Sequence, residues 1–370
     1  MVVFGTRPEA VKLAPVVRAL RQARGVRASV CLTGQHREMA EQVVRFFDLT
    51  VDHDLNIMRP DQTVADVTVN ALRGLYDLFA RERPDWVVVQ GDTTTTFAAA
   101  LAAYYHQIRV AHVEAGLRTH NRYSPFPEEM NRALTGRLAD LHFAPTTEAR
   151  DHLVREGIAP ESIEVTGNTV ADALAMALAR LAQPEIEAKA RAGLPQLDPA
   201  RRLILVTGHR RESFGAPFRE FCEALRVVAS EEAVDIVFPV HLNPNVQKPV
   251  QEILAGRPNV HLMQPVDYPT LVWLAAHSHF IITDSGGIQE EAASLGKPVL
   301  VTRETTERME SVRAGVSCLV GTSQPAIVGA ARELLRDQAK YRAMARKLDL
   351  YGDGRASDRI VARILAENGE

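Results

Sequence analysis

Asp92, Glu114 and Glu128 are the side chains of this sequence best suited to moving protons, because each carboxylate stands at a turn marked by Gly or Pro, the first two just past an apolar run. Asp92 stands in Gln90-Gly91-Asp92-Thr93-Thr94, Glu114 in His112-Val113-Glu114-Ala115-Gly116, and Glu128 in Pro125-Phe126-Pro127-Glu128-Glu129. Taken singly, Asp92 reads first as the cap of the next helix, and one acid of the Glu128-Glu129 pair as a complement to a helix dipole. Glu114 has no such everyday explanation, since a Gly-containing loop is a poor place from which to cap a helix. Three acids meeting in one cleft would repel one another and raise at least one pKa, giving an acid and a base near neutral pH.

Other segments are suited to holding an anion. Gly5-Thr6-Arg7-Pro8-Glu9-Ala10-Val11-Lys12 leaves a first strand and opens a helix, offering free amides beside Arg7 and Lys12. The plainer reading is a helix cap with two solvated cations. His209 lies at a strand's carboxyl end in Thr207-Gly208-His209-Arg210-Arg211-Glu212; a lone histidine is more often structural, but the two arginines beside it favour a site role. The strongest single motif is Thr283-Asp284-Ser285-Gly286-Gly287-Ile288-Gln289-Glu290-Glu291. Here a buried strand runs into Ser285, Gly286 and Gly287, which let a diphosphate approach amides at the positive end of a helix. Glu291 follows one turn later on the same face, placed to take two ribose hydroxyls. Arg308, after the next strand, adds positive charge.

These loops need strands and helices to hold them, and the chain supplies both in alternation. Continuous apolar runs predict strands at Arg27–Leu32, Trp86–Gln90, Arg109–Val113, Leu141–Ala144 and Ile163–Thr166. Apolar residues spaced by three or four predict helices at Glu9–Ala23, Thr63–Arg81 and Thr94–Tyr105. Pro184, Pro195 and Pro199 interrupt the periodicity of Ala182–Ala200, which reads as an interdomain connection. Strands then recur at Leu203–Thr207, Val234–Pro239, Val260–Met263, Phe280–Thr283 and Pro298–Val301. The fold class is therefore α/β, with two doubly wound Rossmann-like domains facing a cleft: residues 1–180, joined by a C-terminal helix within 357–370, and residues 201–350. That last helix is expected at about Ser357–Asn368.

Composition narrows the function. The 370 residues exceed one ordinary domain, and 46% hydrophobic content supplies two cores. A net charge of −3 argues against broad nucleic-acid or anionic-membrane binding. Cys31, Cys222 and Cys318 are scattered and odd in number, which fits a reducing compartment such as the cytoplasm and no disulfide framework. No apolar run reaches a membrane-spanning length of about 18–20 residues. No GxGxxG follows an early strand, the Gly352-Asp353-Gly354 segment lacks a preceding strand, and no GxxxxGK[ST] loop is present. His112, His120 and His142 lack the spacing of a zinc helix, so neither a metal nor a bound cofactor is expected.

Taken together, the motifs resemble those of the non-hydrolysing UDP-N-acetylglucosamine 2-epimerases. GTRPEA at 5–10, QGDTTTT at 90–96, HVEAGLRT at 112–119, FPEEMNR at 126–132, TGHRRESFG at 207–215 and DSGGIQEEAASLGKP at 284–298 match in order over almost the whole chain. The resemblance implies a fold of the glycosyltransferase-B type. It implies reversible conversion of UDP-N-acetylglucosamine to UDP-N-acetylmannosamine through a 2-acetamidoglucal, supplying N-acetylmannosamine for cell-surface polysaccharide. It assigns acid/base roles to Asp92, Glu114 and Glu128, with His209 beside the leaving diphosphate. Arg7, Lys12, Ser285, Gly286, Gly287, Glu291 and Arg308 match the family's nucleotide-sugar contacts. Val266 and Leu271 fall in its uracil-contacting stretch, where Gln and Phe are common. Gln35, His36 and His241 match parts of a second, activating substrate site, although Asp61 stands where Arg is frequent. Homodimers are the family expectation. The alternatives are a hydrolysing 2-epimerase, a glycosyltransferase of the same fold, and a non-catalytic UDP-sugar sensor, for which three acids and His209 would be superfluous.

Overall fold

In the computed structural model, which describes residues 1–35, 37–59 and 62–367, the apolar runs become parallel strands covered on both faces. The chain forms two units, Met1–Met176 with Tyr351–Glu370, and Ala177–Leu350. The first begins β1 (Val2–Phe4), α1 (Arg7–Gln22), β2 (Val30–Leu32), α2 (Arg37–Phe46), β3 (His53–Asp54) and α3 (Val64–Glu82). It continues with β4 (Trp86–Gln90), α4 (Thr94–Tyr105), β5 (Arg109–Val113), α5 (Glu128–Leu138), β6 (Leu141–Ala144), α6 (Thr147–Arg155), β7 (Ile163–Val165) and the start of α7 (Thr169–Leu181), within which the division falls. Its seven strands lie in the order β3-β2-β1-β4-β5-β6-β7.

The second unit repeats the scheme. It contains α8 (Pro184–Arg191), β8 (Arg202–Thr207), α9 (Ala216–Glu231), β9 (Val234–Pro239), α10 (Pro244–Leu254), β10 (Val260–Met263) and α11 (Tyr268–His277). Then follow β11 (Phe280–Thr283), α12 (Gly286–Leu295), β12 (Val299–Val301), α13 (Met309–Arg313), β13 (Ser317–Leu319), α14 (Gln324–Arg336) and α15 (Gln338–Met344). Its six strands run β10-β9-β8-β11-β12-β13. Phe218, Phe221, Phe238 and Phe280 anchor its core, each of them buried, where a side chain of that size contributes about 1.5–3 kcal/mol. Two doubly wound parallel sheets are the α/β class that the sequence predicts.

Both sheets reverse their winding direction once, between β1 and β4 in the first unit and between β8 and β11 in the second. Adjacent crossovers leave such a pair of strands in opposite directions, opening a crevice at their carboxyl ends, where doubly wound sheets bind ligands. After β1 the helix α1 opens on Arg7, and the loop after β4 carries Asp92; the loops after β8 and β11 carry His209 and Ser285.

The stretch read as an irregular connection contains α8. Pro184 occupies the start of that helix, where its missing N–H costs nothing. Packing on α11 then overrides the broken periodicity: Trp273 Nε1 donates to Glu187 at 3.1 Å, and the Thr270 hydroxyl donates to the Ala190 carbonyl at 2.9 Å. The edge strands β3 and β13 are additional to the expected set. After the second unit, Asp172 of α7 receives the returning chain by accepting from the Ala356 and Ser357 amides. This starts α16 (Ala356–Ala366), which packs on α1; Asn368 lies outside the described residues. Among the described residues, no helix is long and apolar enough to cross a membrane.

Candidate functional site

The switch point of the first sheet is built on Glu9. Its carboxylate accepts from the Gly5 and Thr6 amides at 3.0 and 2.8 Å and from the Thr6, Thr93 and Thr96 hydroxyls, so one side chain ties the loop after β1 to the loop after β4. Burial raises its pKa above the ordinary carboxylate range, while the hydroxyl and amide donors oppose that shift. Thr93, not Asp92, caps α4 by accepting from the Thr96 amide. Asp92 is thereby released from the capping role. Its carboxylate pairs with Arg132 of α5, and its carbonyl accepts from Asn131 Nδ2 at 3.0 Å.

Glu114 leaves β5 in the left-handed region, at φ 61°. That turn aims a largely buried carboxylate at Lys12, with which it pairs, and at Gln90 Nε2, which donates to it at 2.8 Å. Lys12 is therefore not a solvated cation. Nor are the acids left to repel one another: Lys12 and Arg132 supply the opposite charge that the expectation from repulsion alone omits. Glu128 and Glu129 lie in different surroundings. Glu129 accepts from the Thr119 and His120 amides and pairs with Arg132, pinning the preceding loop. Glu128, the first residue of α5, is only half-buried.

Behind this site His112 is fully buried, with Nε2 2.7 Å from the Gly91 carbonyl. Burial pushes its pKa down to about 3, outweighing that hydrogen bond. The depressed folded value means that acid favours the unfolded chain, which takes up the proton first. The contribution of His112 is complete above the ordinary 6.5 and is lost as pH falls toward about 3, at about 1.4 kcal/mol per pH unit. His112→Gln should therefore flatten the acid limb of stability against pH in denaturant unfolding; an unchanged limb would remove His112 as its source.

In the second unit the Thr207 and Thr283 hydroxyls, 2.6 Å apart, join the ends of β8 and β11. Asp284 accepts from the backbone amides of His209 and Arg210. Ser285 occupies the cap position of α12, with Gly286 and Gly287 forming its first turn. A Cβ on Gly286 would stand 3.0 Å from Arg308 Cζ, closer than ordinary contact, so the glycine gives that guanidinium room beside the helix start. Arg308 Nε donates to Glu290 at 2.7 Å. Nearby, Arg303 bridges Glu212 and Glu307. Burial acts to raise the pKa of Glu307, yet Arg303 and Arg308 bring it down to about 2.

Glu291 is buried and accepts from the Tyr268 hydroxyl at 2.9 Å, which fixes one carboxylate oxygen. Val266 and Leu271 flank Tyr268 at the start of α11 and are half-buried. Gln35 accepts from the Thr95 hydroxyl in the first unit. His241 stacks on His209, with ring centroids 5.5 Å apart, and His36 and Asp61 lie outside the described residues. Arg132, Asp284 and Tyr268 escaped assignment from sequence. Arg132 had a signal in its helical spacing from Glu129, whereas nothing local distinguishes Tyr268.

Residues 18–365 match the family model described as UDP-N-acetylglucosamine 2-epimerase. The chain is 52% identical to the UDP-N-acetylglucosamine 2-epimerase of Escherichia coli over 98% of its own length and 96% of that protein's. Among solved structures, it resembles UDP-GlcNAc 2-epimerase from Neisseria meningitidis bound to UDP-GlcNAc, at 46% identity and a TM-score of 0.94 over 99% of both chains. The enzyme from Methanocaldococcus jannaschii, in complex with UDP-GlcNAc and UDP, is 32% identical with a TM-score of 0.84 over 99% of both chains.

Proposed function

Because the chain belongs to the UDP-N-acetylglucosamine 2-epimerase family, we propose that it interconverts UDP-N-acetylglucosamine and UDP-N-acetylmannosamine without net hydrolysis. The observation that carries this reading is the pair of cation-matched acids, Asp92 with Arg132 and Glu114 with Lys12, at the carboxyl ends of adjacent strands. Binding a nucleotide sugar needs no such set; moving a proton does.

The hydrogen on sugar carbon 2 is not next to a carbonyl, so its removal needs either transient oxidation of the sugar or loss of a leaving group, and the lack of a dinucleotide fingerprint favours the second. A carboxylate among Asp92, Glu114 and Glu128 takes that proton as the C–H electron pair becomes the C1=C2 bond. The bond from C1 to the diphosphate oxygen breaks, and UDP departs. The Ser285–Gly287 turn and Arg308 hold the diphosphate, and His209 sits beside it. Glu291, oriented by Tyr268, takes the ribose hydroxyls, and Val266 and Leu271 border the base. Arg7 adds charge for the phosphates. Re-addition of UDP to the glycal, with a proton delivered to the opposite face of carbon 2, gives the epimer.

Equilibration in heavy water tests this directly. One deuterium is expected at carbon 2 of both UDP-sugars, with no accumulation of free sugar. Retained protium at equilibrium would refute the elimination, and free N-acetylmannosamine rising in step with UDP would refute the non-hydrolysing reading.

We also infer a homodimer. Val69 and Tyr76 are exposed one heptad apart on α3, and Tyr104 and Tyr105 are exposed at the end of α4, which packs against it. An apolar face of this kind is expected to be covered by a second copy. A solution mass of a single chain at micromolar concentration would contradict that.

A further inference from the structure

Asp284 does more in this geometry than shape a turn. It is 2% exposed, and its Oδ2 accepts from the His209 amide at 2.7 Å and the Arg210 amide at 2.8 Å. Arg210 Nε returns a bond to the Asp284 carbonyl at 3.2 Å, closing the connection between the loops after β8 and β11. The second oxygen, Oδ1, is buried without a hydrogen bond of its own, yet it lies 3.3 Å from His209 Nδ1. A buried carboxylate oxygen this close to an imidazole nitrogen is satisfied only when that nitrogen carries a hydrogen and a small turn of the ring brings it to the oxygen. His241, stacked on His209, limits the freedom of the ring from one side.

We infer that Asp284 is a positioning residue that holds His209 in the Nδ1–H tautomer and directs Nε2 away from the turn as the atom that exchanges a proton. This rests on the role proposed for His209 beside the leaving diphosphate. Burial acts against the Asp284 carboxylate, but its bonds to His209 and Arg210 prevail and keep it below the ordinary range, so an anion faces Nδ1. Asp284 lies beside the ring and His241 against its face, while the next residue, Arg210, is acted on by Arg303, Glu307, Asp284 and Glu212.

The decisive substitution is Asp284→Asn. Two backbone amides demand an acceptor, so the Asn oxygen must stay where Oδ2 is, leaving its NH₂ facing Nδ1. A donor in that place forces the opposite tautomer, with hydrogen on Nε2 and the lone pair turned inward. Nitrogen-15 spectra of the histidine-labelled full chain, above the titration range of the ring, read the tautomer directly. His209 is expected as Nδ1–H in the native protein and as Nε2–H in the variant. In turnover of UDP-N-acetylglucosamine, kcat should fall by about 10²-fold or more, with KM changed by no more than about threefold.

A variant that keeps the Nδ1–H tautomer overturns the inference, whatever its rate. If the variant does not fold, the native spectrum still decides: an Nε2–H His209 in the unaltered protein is equally fatal. A tautomer that flips while kcat holds supports the positioning by Asp284 and removes His209 from the chemistry, so the two ideas fail separately.

Discussion

Glu114→Gln is expected to lower kcat at least about 10²-fold, the usual scale for removing a proton-transfer group. The amide keeps the shape of the carboxylate and its contact with Gln90 but cannot take a proton from carbon. Lys12, which pairs with Glu114, loses that negative charge and remains largely buried, so some stability should be lost as well, by about 1–3 kcal/mol. The two effects are separable. Single-turnover rates and deuterium wash-in at carbon 2 read the chemistry at saturating substrate, while denaturant unfolding reads the fold. Turnover within about threefold of the native enzyme would exclude Glu114 as a proton carrier and leave Asp92 and Glu128.

Gly116→Ala, two residues away in the same motif, should act in the opposite manner and principally unfold the first unit. Gly116 has φ +92°, and a Cβ there would stand 2.2 Å from the Ala149 carbonyl oxygen, a main-chain atom of α6 that cannot swing aside. Backbone strain and steric overlap then add, for a loss of about 3 kcal/mol or more. Protein that survives at low temperature should retain near-native kcat per folded molecule, since the glycine presents no group to substrate. A variant as stable as the native chain would show that the α6 main chain can move away. The contrast between the two substitutions separates what this motif does chemically from what it does sterically.

Much of this was legible along the chain. Trp86–Gln90, Arg109–Val113 and Leu141–Ala144 are strands with the bounds expected of them, because a strand buried on both faces must be continuously apolar, and that constraint is local. His53–Asp54 and Ser317–Leu319 escaped because short edge strands need no apolar run. Pro184 misled because a proline that ends one helix and a proline that begins another look alike until α11 supplies the packing surface.

The residues that carry polar groups at strand ends were likewise visible, since glycine, proline and charge cluster wherever a buried sheet reaches solvent. Their partners were not. Lys12 finds Glu114 across 102 positions, and His209 finds Asp284 across 75. Those pairings follow from a strand order in which β1, β4 and β5 are successive neighbours and β8 lies beside β11. Sequence alone determined which side chains are available, because types and turns are encoded residue by residue. Tertiary structure decided which of them meet, because pairing between distant strands depends on how whole helices pack across a sheet, and no local pattern records that.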